Sequence, residues 1–129
     1  MESLKRRAAF KAVAGGRRVT RPGFVLQALK AGSDTDGKMA TRPPRFGFTV
    51  TKKIGNAVVR NRIRRRLREV VRRAQLRADA ATDYVLVARR AALTLQFERL
   101  VTDLTSGFEV LSRQSDRPRA VAAGSIDAR

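Results

Sequence analysis

Lys52, Lys53, Arg60, Arg62, Arg64, Arg65, Arg66, Arg68, Arg72 and Arg73 lie within one stretch of the chain that holds a single acid, Glu69. Cations at this density neutralise phosphates, and arginine suits the task because its planar fork donates to two phosphate oxygens at once. The chain has no Cys and no His. That removes disulfides, the common zinc ligand sets, thiol and Ser-His nucleophiles and an imidazole acid-base, so hydrolysis by this chain alone would have to rest on carboxylates. With 29 Lys and Arg against 11 Asp and Glu the formal charge is +18, a self-repulsion that a polyanion relieves. Nucleic acid is the leading partner. An anionic membrane is the competitor, but no stretch is apolar enough to span a bilayer and the basic segment is too evenly ringed with Arg for an interfacial anchor.

The segment must be helical for its charges to form a surface. At about 100° per residue, Val59, Ile63, Leu67, Val70, Val71 and Ala74 fall in one arc, a core-facing stripe that a disordered tail would not keep. Asn61, Arg64, Arg65, Arg68 and Arg72 lie opposite, and Arg60, Arg62, Arg66 and Arg73 flank the stripe. Like charges at i, i+4, such as Arg60 with Arg64 and Arg64 with Arg68, cost a few tenths of a kcal/mol per pair in an isolated helix. A purely structural helix would intersperse Glu, so polyanion binding is the reading. Asn56 is the expected N-cap and Gly55 the residue of the preceding turn.

The other elements follow from period and punctuation. Ser3 to Ala14 reads as a short helix capped by Ser3 and ended by Gly15 and Gly16, with Phe10, Val13 and Ala14 on one side. A short strand is expected near Arg18 to Arg21. Phe24, Leu26 and Ala28 alternate with Val25, Gln27 and Leu29 as in a strand buried on both faces. Ala31 to Pro44 is a loop. Its Asp34, Asp36 and Gly37 resemble the opening of a calcium loop, but Lys38 occupies a ligand position and no Glu closes the set, so a solvated turn is expected. Arg45 to Lys53 is a strand with Phe46, Phe48 and Val50 on one face and the smaller Gly47, Thr49 and Thr51 on the other, which leaves that face flat. After a turn at Ala80 to Asp83, Tyr84 to Arg89 is a strand, and Thr94 caps a last helix with the stripe Phe97, Leu100, Val101, Leu104, Phe108 and Leu111.

A length of 129 residues predicts one domain. Residues 1–111 form it, and 112–129, rich in Ser, Asp, Pro, Ala and Gly without periodicity, form a mobile tail. Helices on one face of a small sheet predict a two-layer α+β fold. The strand before the basic helix and the strand after it make a β-α-β unit, right-handed by default. MESLKRRAAF lacks the continuous apolar core of a secretory signal, so a cytoplasmic protein is expected.

Lys52, Lys53, Gly55, Asn56, Ala57, Val58, Arg60, Asn61, Arg62, Arg65, Arg68 and Glu69 together resemble the signature helix of the bacterial ribonuclease P protein subunit, whose RNR motif corresponds here to Arg60, Asn61 and Arg62. The flanking text agrees, from Phe10 in a helix that closes on Gly, through Phe24 and Arg45 to Val50, to Tyr84 to Arg89. The resemblance covers about Leu4 to Leu111. It implies an α-β-β-β-α-β-α sandwich, similar to domains of ribosomal proteins, with a left-handed β-α-β crossover that this chain alone does not reveal. It also implies a heterodimer with one large catalytic RNA. That RNA, with bound Mg2+, hydrolyses the phosphodiester at the 5′ end of mature tRNA within precursor tRNA, while the protein binds the RNA near its active centre and holds the 5′ leader.

On that resemblance no residue of this chain is catalytic. Lys52, Lys53, Arg60, Asn61, Arg62, Arg64, Arg65, Arg66 and Arg68 are the expected RNA contacts, with Asn61 either bonding RNA or fixing an Arg. Gly55 serves the turn and a close backbone approach, and Ala57 and Val58 serve packing. The leader is expected in a cleft between the first helix and the sheet, at Phe10, Phe24 and Gln27. Where relatives often carry further aromatics this chain has Ala14 and Gln27, which predicts weaker base stacking. Three rivals remain open on residues alone: a structural ribosomal RNA-binding protein, a basic-helix DNA regulator and a free-standing nuclease.

Overall fold

Strands that alternate apolar and polar side chains give a sheet two different faces, and here both are covered. A computed structural model describes residues 1–30 and 42–114. In chain order it places β1 (Glu2–Ser3), α1 (Arg7–Ala14), β2 (Arg17–Thr20), β3 (Phe24–Lys30), β4 (Arg45–Thr49), α2 (Ala57–Ala74), β5 (Thr82–Ala88) and α3 (Phe97–Arg113), with 3-10 turns at Lys52–Ile54, Gln75–Arg77 and Arg90–Leu93. The sheet runs β1-β4-β5-β3-β2. β3 is antiparallel to β2 and β5, with Leu26 opposite Leu86. β4 is parallel to β1 and β5, so β4-α2-β5 is the expected β-α-β unit.

One face carries Phe24, Leu26, Ala28, Phe46, Tyr84, Leu86 and Ala88 against Ile63, Leu67 and Val70 of α2 and Leu100, Leu104 and Phe108 of α3. Phe46 stacks on Tyr84 at 5.4 Å between ring centroids, and Phe108 closes on Tyr84 at 4.9 Å. Burying Ile63 or Leu67 fully contributes about 1.5–3 kcal/mol each, several times the few tenths lost per like-charge pair on the outer side of α2. The stripe therefore outweighs the charge.

The α+β class is as expected, but the helices divide between the faces. α1 packs Val13, Ala9 and Phe10, with Leu4, against Val85 and Val87 on the side away from α2 and α3. The flat side of β4 explains this placement: a Cβ on Gly47 would sit 2.4 Å from Cζ of Phe10, so the glycine lets the ring lie against the strand.

Several boundaries differ from the sequence expectation. Ser3 is not a helix cap; it pairs with Phe46 in β1, and α1 starts at Arg7 without a side-chain cap. The open edge of β4 gives this segment backbone partners that a helix end would lack, as in the Leu4 N–H to Phe46 carbonyl bond of 2.8 Å. Thr94 does not cap α3 either, because its N–H closes the preceding 3-10 turn on the Ala91 carbonyl and Gln96 becomes the cap position. β4 stops at Thr49 because Lys52–Ile54 coils. α3 takes in Ser112 and Arg113, the first residues of the expected tail. Residues 115–129, and 31–41 with Asp34, Asp36 and Gly37, lie outside the described residues. Among the described residues no helix is long and apolar enough to cross a membrane.

Candidate nucleic-acid interface

The basic surface begins at a turn. Lys52–Ile54 coils once, Gly55 follows in extended backbone, and the Asn56 side chain accepts the Val59 N–H at 3.0 Å. That bond satisfies one of the free donors of the first turn of α2 and fixes the helix start next to the two lysines. From there the stripe is buried as expected at Ile63, Leu67, Val70, Val71 and Ala74.

The structure sorts the cations by what they already hold. Lys52, Lys53, Arg62 and Arg65 are exposed and make no hydrogen bond or ion pair among the described residues. Arg60 donates Nε to the Gly55 carbonyl at 3.1 Å, which leaves its two terminal nitrogens outward. Arg64 donates to Oδ1 of Asn61 at 3.1 Å, so Asn61 orients an arginine. Arg68 sets its guanidinium 5.9 Å from the centre of the Phe48 ring, a cation-π distance.

Arg66 is placed differently from the rest. Its Nη1 and Nη2 donate to the carbonyls of Ala92 and Leu95 at 2.6 and 2.7 Å. It ties α2 to the turn after β5 and is not a free phosphate ligand. Arg72 and Arg73 pair with Glu69 and Glu98, so their charge is partly spent within the protein. Ala57 and Val58, expected to pack, are exposed, Val58 at 67%. Val58 stands one turn before Arg62 on the outward side.

The leader residues separate as well. Phe10 is half-buried and Gln27 is 9% exposed on the α1 side of β3, while Phe24 is 0% exposed. Phe24 faces the α2 and α3 layer as core, because period-two alternation puts it opposite to Val25 and Gln27. It cannot touch a strand in a cleft under α1. Phe10 instead meets residues of the basic helix. A groove of about 190 Å3 is walled by Phe10 of α1, by Ser3 and Leu4, by Phe46, Gly47 and Phe48 of β4, and by Arg64 and Arg68 of α2.

The reason for this groove is the length of β1. It pairs only with Arg45 and Phe46, so beyond Phe46 the outer edge of β4 has no strand beside it among the described residues. Phe10 and Phe48, with the guanidinium groups of Arg64 and Arg68, thus flank a stretch of open backbone. Phe48, read as core from its alternation, packs against the main core but stays only half-buried, because β1 stops short of it.

At the start of β4 two arginines share one carboxylate. Asp83 accepts from Arg42 at 2.9 Å and from Arg45 at 2.8 and 2.9 Å. Burial acts to raise the Asp83 carboxyl, but the Arg45 hydrogen bonds and the charges of Arg42 and Arg45 outweigh it and hold the group below the usual carboxylate range. The same hydrogen bond raises Arg45. Tyr84, buried and accepting the Asp79 N–H, is pushed up to about 12 by desolvation. Among the described residues no three Asp or Glu side chains converge on one point.

Known proteins resemble this chain in sequence and in fold. A family model described as Ribonuclease P matches residues 1–112. The Ribonuclease P protein component of Gluconacetobacter diazotrophicus is 50% identical over 103 residues, covering 78% of this chain and 83% of that protein. The component of Brucella suis is 44% identical over 104 residues, covering 79% and 74%. Among solved structures, the RNase P protein of Staphylococcus aureus superposes with a TM-score of 0.66 at 25% identity, covering 85% of this chain and 94% of that one. The RNase P protein of Thermotoga maritima gives 0.66 at 25% identity, covering 89% and 99%.

Proposed function

The chain belongs to the ribonuclease P protein family, and from that premise we propose that it binds the catalytic RNA of ribonuclease P and the 5′ leader of precursor tRNA as one half of an RNA-protein heterodimer. Lys52, Lys53, Arg60, Arg62 and Arg65 neutralise phosphates of the catalytic RNA from the outward side of α2. Phe10, Phe48, Arg64 and Arg68 receive the single-stranded leader, with Asn61 holding Arg64 in place; Gln27, on β3 beyond β5, does not line this groove.

The observation that supports this most directly is the groove at the β4 edge. A single strand needs a π-face for its bases and cations for its backbone. Phe10 comes from one layer of the fold and Arg64 and Arg68 from another, and at that edge they line the same groove.

Chemistry is assigned to the RNA partner. Two-metal phosphodiester hydrolysis requires oxygen ligands for both ions, and an RNA offers them where the described carboxylates do not converge. Mg2+ in this reading is held mainly by RNA, and the protein lowers repulsion between two polyanions brought side by side. The work is placed in the cytoplasm.

The test combines purified protein with a bacterial ribonuclease P RNA and a precursor tRNA at low Mg2+. Protein alone is expected to leave the substrate intact, RNA alone to cut weakly, and the mixture to cut faster at one position, the 5′ end of the mature tRNA. A mixture no better than RNA alone defeats the reading.

A further inference from the structure

Arg66 and Arg90 each donate to backbone carbonyls of a neighbouring element of the fold. Arg66 donates from α2 to the Ala92 and Leu95 carbonyls. Arg90, at the start of that turn, donates back to the Ile54 carbonyl, within the coil that carries Lys52 and Lys53. The next carbonyl, Gly55, is taken by Nε of Arg60. The approach is close: a Cβ on Gly55 would lie 3.1 Å from Nη1 of Arg90 and equally near Val59.

The lysine turn is therefore gripped by its backbone carbonyls from two sides. Its own backbone hydrogen bonds are Ile54 N–H to Thr51 at 3.1 Å and Gly55 N–H to Lys52 at a longer 3.3 Å. One 3-10 turn has poor hydrogen-bond geometry and little intrinsic stability, so the outside donors decide whether it is ordered before RNA arrives. Ordering a flexible cationic segment during binding lowers affinity, and ordering it beforehand removes that cost.

We propose that Arg90 is a positioning residue for RNA binding, acting through Lys52 and Lys53 by fixing the turn that carries them, and not through a phosphate of its own. This rests on the reading that Lys52 and Lys53 contact phosphates. A direct phosphate ligand and a positioning residue differ in one respect that can be measured. The effect of removing a direct ligand adds to the effect of removing the lysines, whereas the effect of removing a positioning residue vanishes once they are gone.

Equilibrium binding to the ribonuclease P RNA across a monovalent salt series tests this with wild type, Arg90→Gln, the double variant Lys52→Gln with Lys53→Gln, and the triple combination. Arg90→Gln is expected to weaken binding by about three- to tenfold, with the salt slope reduced by up to about 1.8, the value for two phosphates. The triple variant is expected to bind like the lysine double. In the RNA-free protein, amide exchange at Ile54 and Gly55 is expected to speed up in Arg90→Gln, which loss of a distant charge would not cause. Arg90→Met, which keeps the apolar stem and loses the donors, is measured in parallel so that a folding defect in one variant does not decide the outcome. Full additivity in the triple variant, or wild-type affinity in Arg90→Gln, overturns the proposal. If the lysine double alone binds like wild type, the reading of those lysines fails separately, and with it the route assigned to Arg90.

Discussion

Arg62 and Arg66 stand one helical turn apart in a run of similar residues, yet their partners give them opposite roles. Arg62 has none among the described residues, so Arg62→Gln is expected to lower the magnitude of the salt slope by about 0.9 and leave the unfolding midpoint unchanged. Arg66→Gln strands the Ala92 and Leu95 carbonyls and is expected to cost about 1–3 kcal/mol of stability with little change in slope. Denaturant titration beside the salt series separates the two. Phe10 combines both kinds of work, because its ring packs on Gly47 and also walls the groove. Phe10→Leu keeps most of the packing and removes the stacking face. It is expected to narrow the preference for precursor over mature tRNA by roughly fivefold or more, the lower end of a base-aromatic contact, read as the ratio of the two affinities.

At the level of elements, α2 is an ordinary buried stripe carrying an unusual outer side, and its start is set by the Asn56 cap. Asn56→Ala is expected to cost about 1 kcal/mol and to loosen the lysine turn that precedes it. The sheet edge has its own tie in Asp83 with Arg42 and Arg45. Because the folded carboxyl titrates below its unfolded value of about 3.9, this tie contributes fully above that pH and its contribution falls as pH drops through the folded value. Unfolding free energy measured from pH 6 downward is expected to decline below about pH 4, and Asp83→Asn is expected to lack that part of the decline while being less stable at neutral pH. Equal acid limbs in both proteins would remove Asp83 from the account.

Over the whole molecule, the sheet separates a large α2 and α3 layer from a thin α1 layer, and residues of both line the groove at the uncovered end of β4. Binding to the catalytic RNA with about six phosphates neutralised predicts a slope of log affinity against log salt on the order of −4 to −5. An affinity that hardly moves with salt would contradict the electrostatic reading. Composition, the RNR string and the 3.6-residue register were enough to set the α+β class, the scaffolded basic helix and the ribonuclease P family, because each depends on residue types and local period. Tertiary structure decided what those signals cannot carry. It left Phe24 fully buried and Phe48 half-buried at the groove, although both pack on the same core, because β1 flanks β4 only as far as Phe46. It also tied Arg66 to the Ala92 and Leu95 carbonyls and Arg90 to the Ile54 carbonyl, which lie 26 to 36 residues away in sequence and become neighbours only when the turn after β5 docks on α2 and the lysine turn.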